Sequence, residues 1–152
     1  MNKNRYRRCL LLSGVLLLSF LSSRNLPVVA DEALATIANP TNTTSSLSAG
    51  DLHRIFMGDK SSWANGKHIL LIMAPQGSPE RAAILKSVYK MSEDEYTKYF
   101  LQATFTGAVS APPRDAASEA EIKQLVAANP GAIGYIKSQD VDDSVKVLLK
   151  IP

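Results

Sequence analysis

The sequence has few of the side chains that most often carry catalysis and metal binding. Its 152 residues include one cysteine, Cys9, and two histidines, His53 and His68, well separated in sequence. A single thiol forms no intrachain disulfide, and two distant histidines make no zinc set at the usual ligand spacing. No Ser-His-Asp order and no carboxylate pair with a shared cleft can be picked out. No catalytic residue, metal or cofactor is therefore expected. Glu93, Asp94 and Glu95 are consecutive acids, but they fall where a helix first turn favours negative charge. No internal repeat or low-complexity tract is present, and there is one long apolar run, at residues 9–21.

That run decides how the N-terminus reads. Lys3, Arg5, Arg7 and Arg8 form a basic head, and the apolar core behind them is too short to span a bilayer comfortably. Val28-Val29-Ala30 then supplies an A-x-A-like end. Residues 1–30 read as a secretory signal cleaved after Ala30, leaving a single domain at 31–152. Cys9 lies ahead of the apolar core, against a lipoprotein, and leaves with the leader. The expected location is periplasmic, with membrane contact only through an uncleaved signal, the alternative reading.

Removing the leader reverses the charge. Five of the 17 basic residues lie in it and none of the 14 acidic ones, which leaves 12 against 14, a net charge of −2. The overall pI near 9.0 belongs mostly to the leader. A nucleic-acid partner, which would need a basic surface, loses its support.

Past the leader the chain alternates between two periods. Residues 33–38 are a short apolar run ended by Asn39-Pro40 and read as a strand. A hydroxyl-rich loop follows, in which Asn42-Thr43-Thr44 matches the glycosylation triplet. Ser48-Ala49-Gly50-Asp51 has capping-box spacing, Leu52, Ile55 and Phe56 share a helical face, and Gly58 is a stop. Trp63, in the next loop, plugs the edge of a core. Residues 69–74 read as a buried strand, broken at Pro75-Gln76-Gly77 and followed by a helix capped by Ser78 with Pro79 in its first turn. Ser92 opens a full capping box. Tyr96, Tyr99, Phe100 and Ala103 then repeat at helical spacing, an aromatic stripe of core type. Residues 104–114, with Pro112-Pro113, read as irregular. Ser118 to Glu121 is another capping box, leading to a helix with Ile122, Leu125 and Val126 inward. Residues 132–136 read as a buried strand, 139–143 as a turn, and 145–150 as a last strand with Val145, Val147 and Leu149 alternating against Lys146, Leu148 and Lys150. The expected fold class is α/β, a three-layer-type sandwich with a small mixed sheet.

An ordered set of segments resembles a known family. Leu47-Ser48-Ala49-Gly50-Asp51-Leu52 leads into Ile55-Phe56-Met57-Gly58; Trp63-Ala64-Asn65-Gly66 precedes the central strand; Phe105-Thr106-Gly107 precedes a proline loop; and Pro130-Gly131-Ala132-Ile133-Gly134-Tyr135 comes near the end. In this order they resemble the second lobe of the phosphate-binding proteins of ABC importers, and more closely their small exported single-lobe relatives. The resemblance implies one lobe of a type II periplasmic binding protein. It implies a small oxyanion such as phosphate as ligand, at Gln76, Gly77, Ser78 and Arg81. The importer proteins place an Arg and then Ser-Gly-Thr at this helix start. Here the Arg position falls on Ala74, the Gly on Pro79 and the Thr on Glu80. These changes remove a bidentate cation and a backbone N–H and add a like charge. The expectation is a non-catalytic domain that binds a small anion weakly or not at all. The alternative is an accessory protein whose former inter-lobe face meets a protein partner.

Overall fold

The computed structural model describes residues 33–151. The signal reading at 1–30 lies outside the described residues. Among the described residues there are five strands and four α-helices: β1 (Leu34–Ala38), α1 (Ala49–Phe56), β2 (Leu70–Met73), α2 (Pro79–Ile84), α3 (Glu93–Phe105), β3 (Arg114–Asp115), α4 (Glu119–Ala128), β4 (Ala132–Lys137) and β5 (Lys146–Ile151).

Each α-helix begins at a serine whose hydroxyl accepts from the backbone N–H three residues on: Ser48 from Asp51, Ser78 from Arg81, Ser92 from Glu95 and Ser118 from Glu121. Among these, the reciprocal box closes at Ser92, where Glu95 accepts from the Ser92 backbone N–H. The other two expected boxes differ. Asp51 takes the Ser48 hydroxyl instead, and Glu121 accepts from the N–H of Ala117, one residue before the cap.

The strands form one mixed sheet in the order β3-β2-β4-β1-β5. β2 runs parallel to both β3 and β4, while β1 is antiparallel to β4 and β5. Neighbouring residues of β4 show how helices cover both faces, since successive side chains point to opposite sides. Gly134 faces α4, where a Cβ would meet Ile122 Cγ2 at 2.7 Å. Tyr135 faces the other way, with its ring 6.2 Å from that of Phe56 on α1. On that side the aromatic stripe of α3 packs as expected, with Tyr96, Phe100 and Ala103 buried. Trp63 is buried too, and its indole N–H donates to the Gly131 carbonyl at 2.9 Å.

Three features depart from the sequence reading. The stretch read as irregular through residue 114 ends in β3, a two-residue edge strand. The helix begun at Pro79 passes into a π turn at Leu85–Tyr89, closed by Lys90 in the left-handed region at φ 57°. The last strand does not alternate simply. A bulge between Thr36 and Ile37 breaks the pairing, so Thr36 faces Leu149 and Ile37 faces Val147. Leu148 falls into the gap and is buried, while Val147 and Leu149 are half-buried.

Two asparagines hold loops by burial. Asn42, the first residue of the glycosylation triplet, is 3% exposed, with its carbonyl oxygen accepting from the Thr44 N–H. Its amide nitrogen is closed off, so the folded domain offers no sugar acceptor at that triplet. Asn39 joins the end of β1 to the end of α4: its amide nitrogen donates to the carbonyls of Val126 (3.1 Å) and Ala127 (2.7 Å). Its oxygen accepts from both the N–H and the hydroxyl of Thr41. Asn39→Asp turns the donor into a second anionic oxygen aimed at two carbonyls at a helix C-terminus. The expected loss of stability is about 2–3 kcal/mol in urea unfolding. A loss below about 1 kcal/mol would show that these carbonyls do not depend on Asn39.

Candidate functional site

β2 ends at Met73 and hands the chain to Ala74, whose peptide is fixed on both sides. The N–H of Ala74 donates to the Tyr135 hydroxyl at 3.0 Å, and its carbonyl accepts from Arg81 Nη1 at 3.0 Å. The next four residues make a turn in which Ser78 N–H donates to the Pro75 carbonyl at 3.1 Å. Gly77 sits at its third position with φ 82°, the angle a type II turn demands there. Nothing lies within 4 Å of the place a Cβ would take, so the glycine answers the backbone angle and not a lack of space. Ser78 then caps α2 and Pro79 fills a first-turn position that needs no N–H partner.

Gln76, Gly77 and Ser78 line an open groove of about 460 Å³ together with Lys86, Ser92 and Glu93. Arg81, grouped with them in the sequence reading, goes elsewhere. It is 3% exposed. Its Nε lies 3.0 Å from each Glu93 carboxylate oxygen, and Nη2 donates to Oε1 at 2.8 Å. Nη1 donates to Asp115 Oδ1 at 2.7 Å as well as to Ala74. The guanidinium carbon also stands 5.0 Å from the centroid of the Tyr96 ring. Burial works against its charge, but Glu93 and Asp115 outweigh that and hold Arg81 above its ordinary pKa range. The structure thus brings Gln76, Gly77 and Ser78 to one groove and commits Arg81 to an internal ion-pair cluster behind it.

The sequence reading missed the partners in that cluster. Glu93 carried a signal, three acids in a row, but the helix dipole accounted for it. Asp115 lies 34 residues from Arg81 in sequence, and no local pattern connects the two. Glu80, the other acid at the turn, is buried and pairs with Lys137 at 3.5 Å. The most exposed large apolar side chains among the described residues, Leu101 and Phe105 at 72% and 92%, lie about two and three turns along α3 from Glu93. Among the described residues no three His, Cys, Asp or Glu side chains are placed to hold a metal, and no helix is long and apolar enough to cross a membrane.

No protein-family model matches the sequence, and no curated protein does. Solved structures do. A putative phosphate ABC transporter substrate-binding protein from Clostridium perfringens, with bound phosphate, is 25% identical with a TM-score of 0.62; the match covers 76% of this chain and 44% of that one. An ABC-type phosphate transport receptor from Vibrio cholerae is 23% identical with a TM-score of 0.62, over 76% of this chain and 45% of that one. PstS from Borrelia burgdorferi is 16% identical with a TM-score of 0.58, over 76% and 46%. The chain spans less than half the length of the proteins it matches, and over that span it has their fold.

Proposed function

We propose that this chain, folded like one lobe of a phosphate ABC transporter substrate-binding protein, is an exported, non-catalytic binding-type domain that holds inorganic phosphate weakly or not at all. Export rests on the signal pattern of residues 1–30, and the non-catalytic reading on the binding proteins whose fold it matches. The observation that carries the weak-binding part is the engagement of Arg81. The arginine expected by resemblance at position 74 is an alanine, and the arginine at the turn already faces two carboxylates. A small oxyanion arriving at Gln76, Gly77 and Ser78 finds Glu93 on the same groove and no free guanidinium behind the turn.

A protein partner is the alternative ligand. The exposed Leu101 and Phe105, in the far part of α3, are apolar surface that such a partner would cover.

The test is a calorimetric titration of the protein with inorganic phosphate at low ionic strength. The expected dissociation constant is about 1 mM or weaker, corresponding to about −4 kcal/mol or less of binding free energy. Micromolar affinity, reduced by Ser78→Ala, would overturn the reading.

A further inference from the structure

A guanidinium has five N–H donors in a fixed fork, a shape matched to oxyanions. In Arg81 the Nε–H and one Nη2–H form a fork onto Glu93, and the two Nη1 donors reach Asp115 and the Ala74 carbonyl. This is the geometry in which arginine grips an external carboxylate or phosphate. The two carboxylates lie on the solvent side of a side chain that is itself only 4% exposed: Glu93 is 28% exposed and Asp115 58%. Glu93 belongs to two places at once, since it lines the groove with Gln76, Gly77 and Ser78 and also forks onto Arg81.

We propose that Glu93 and Asp115 are built-in ligands that, with the Ala74 carbonyl, take four of the five N–H donors of the guanidinium at this turn and so shut it against external oxyanions, an autoinhibitory contact within the lobe. The inference rests on the weak-binding reading above and gives its cause. The two ligands are unequally held. Glu93 opens a 13-residue helix, whereas Asp115 ends a two-residue edge strand and is more than half exposed. Asp115 is therefore the ligand an incoming oxyanion displaces first.

The experiment compares the protein with the Glu93→Gln/Asp115→Asn variant. Each is titrated with inorganic phosphate at low ionic strength, with chloride at matched ionic strength as the control. Removing two negative charges next to the guanidinium should tighten phosphate binding at least about tenfold. A variant with parental far-ultraviolet circular dichroism and unchanged affinity overturns the proposal. Should the double variant fail to fold, Asp115→Ala, which leaves the Glu93 fork and the Tyr96 contact in place, is read the same way. A gain of about threefold or more supports the contact as a block, and no gain overturns it. The outcomes separate the two readings. Tight phosphate binding by the unaltered protein defeats the weak-binding reading, whereas weak binding by that protein with no gain in either variant defeats this inference alone.

Discussion

Raising the pH past 10 should unfold this protein steeply, with stability falling by up to about 4 kcal/mol for each further pH unit. Tyr89, Tyr96 and Tyr135 are 2%, 6% and 0% exposed. Burial pushes all three phenols above the ordinary tyrosine value of 10.0, and for Tyr96 and Tyr135 the nearby Arg81 charge only partly offsets it. A Tyr89 phenolate would be poorly held, since its hydroxyl meets the Met73 thioether at 3.7 Å and the Tyr96 phenol, whose hydrogen bond favours the protonated form of Tyr89. In the unfolded chain the same phenols ionise near pH 10. Above that point the unfolded state binds fewer protons than the folded one, so stability declines as pH rises; below it the contribution is fully present. Three protons released together, at about 1.4 kcal/mol per unit each, give the stated slope. Urea unfolding across this range, followed alongside phenolate absorbance, checks it. The phenolate signal of these tyrosines should appear with unfolding. Half ionisation of these phenols near pH 10 in a chain that keeps its folded circular dichroism would show that the three rings are open to solvent.

Replacing Arg81 should cost nearly as much near neutral pH. Arg81→Met keeps the length and the apolar stem but removes every donor to Glu93, Asp115 and the Ala74 carbonyl. Removing one member of a buried ion pair typically costs about 3–5 kcal/mol. Water can reach Asp115 and part of Glu93, which places the expected loss at the lower end, about 3 kcal/mol. Arg81→Lys keeps the charge but not the fork, and should lose roughly 1.5 kcal/mol, the worth of one charged hydrogen bond. Urea denaturation of the two variants beside the parent gives both values. A methionine variant within about 1 kcal/mol of the parent would mean that the cluster contributes no net stability, as happens when desolvation cancels the pairing.

What could be read from the sequence was what short-range chemistry writes into it. The serines at 48, 78, 92 and 118 mark helix starts because each hydroxyl reaches a backbone N–H only three residues away. The stripe from Tyr96 to Ala103 marks a buried face because helical spacing brings those side chains together before any tertiary contact forms. The β2–α2 turn was visible for the same reason, in Pro75, Gly77 and Ser78. The features that escaped depend on distant partners. β3 is a strand only because β2 lies beside it, and its two exposed residues carry no periodic signal. Leu148 turns inward because of a bulge where β1 meets β5, a matter of pairing and not of residue preference. The role of Arg81 was out of reach for the same reason: a single arginine after a helix cap looks the same whether its partner is solvent, a ligand or an aspartate far along the chain.

The sheet order also bears on how such a chain can fold as it is made. β4 lies between β2 and β1, yet it follows both in sequence, at residues 132–137. As the chain emerges, β1 and β2 appear early but do not pair with each other. Until residues 132–137 are available, β1 has no partner strand, β2 has only the two-residue β3, and the helices lack most of the sheet they cover. A domain ordered this way stays open to chaperones, proteases or aggregation until its central strand arrives, and only then closes.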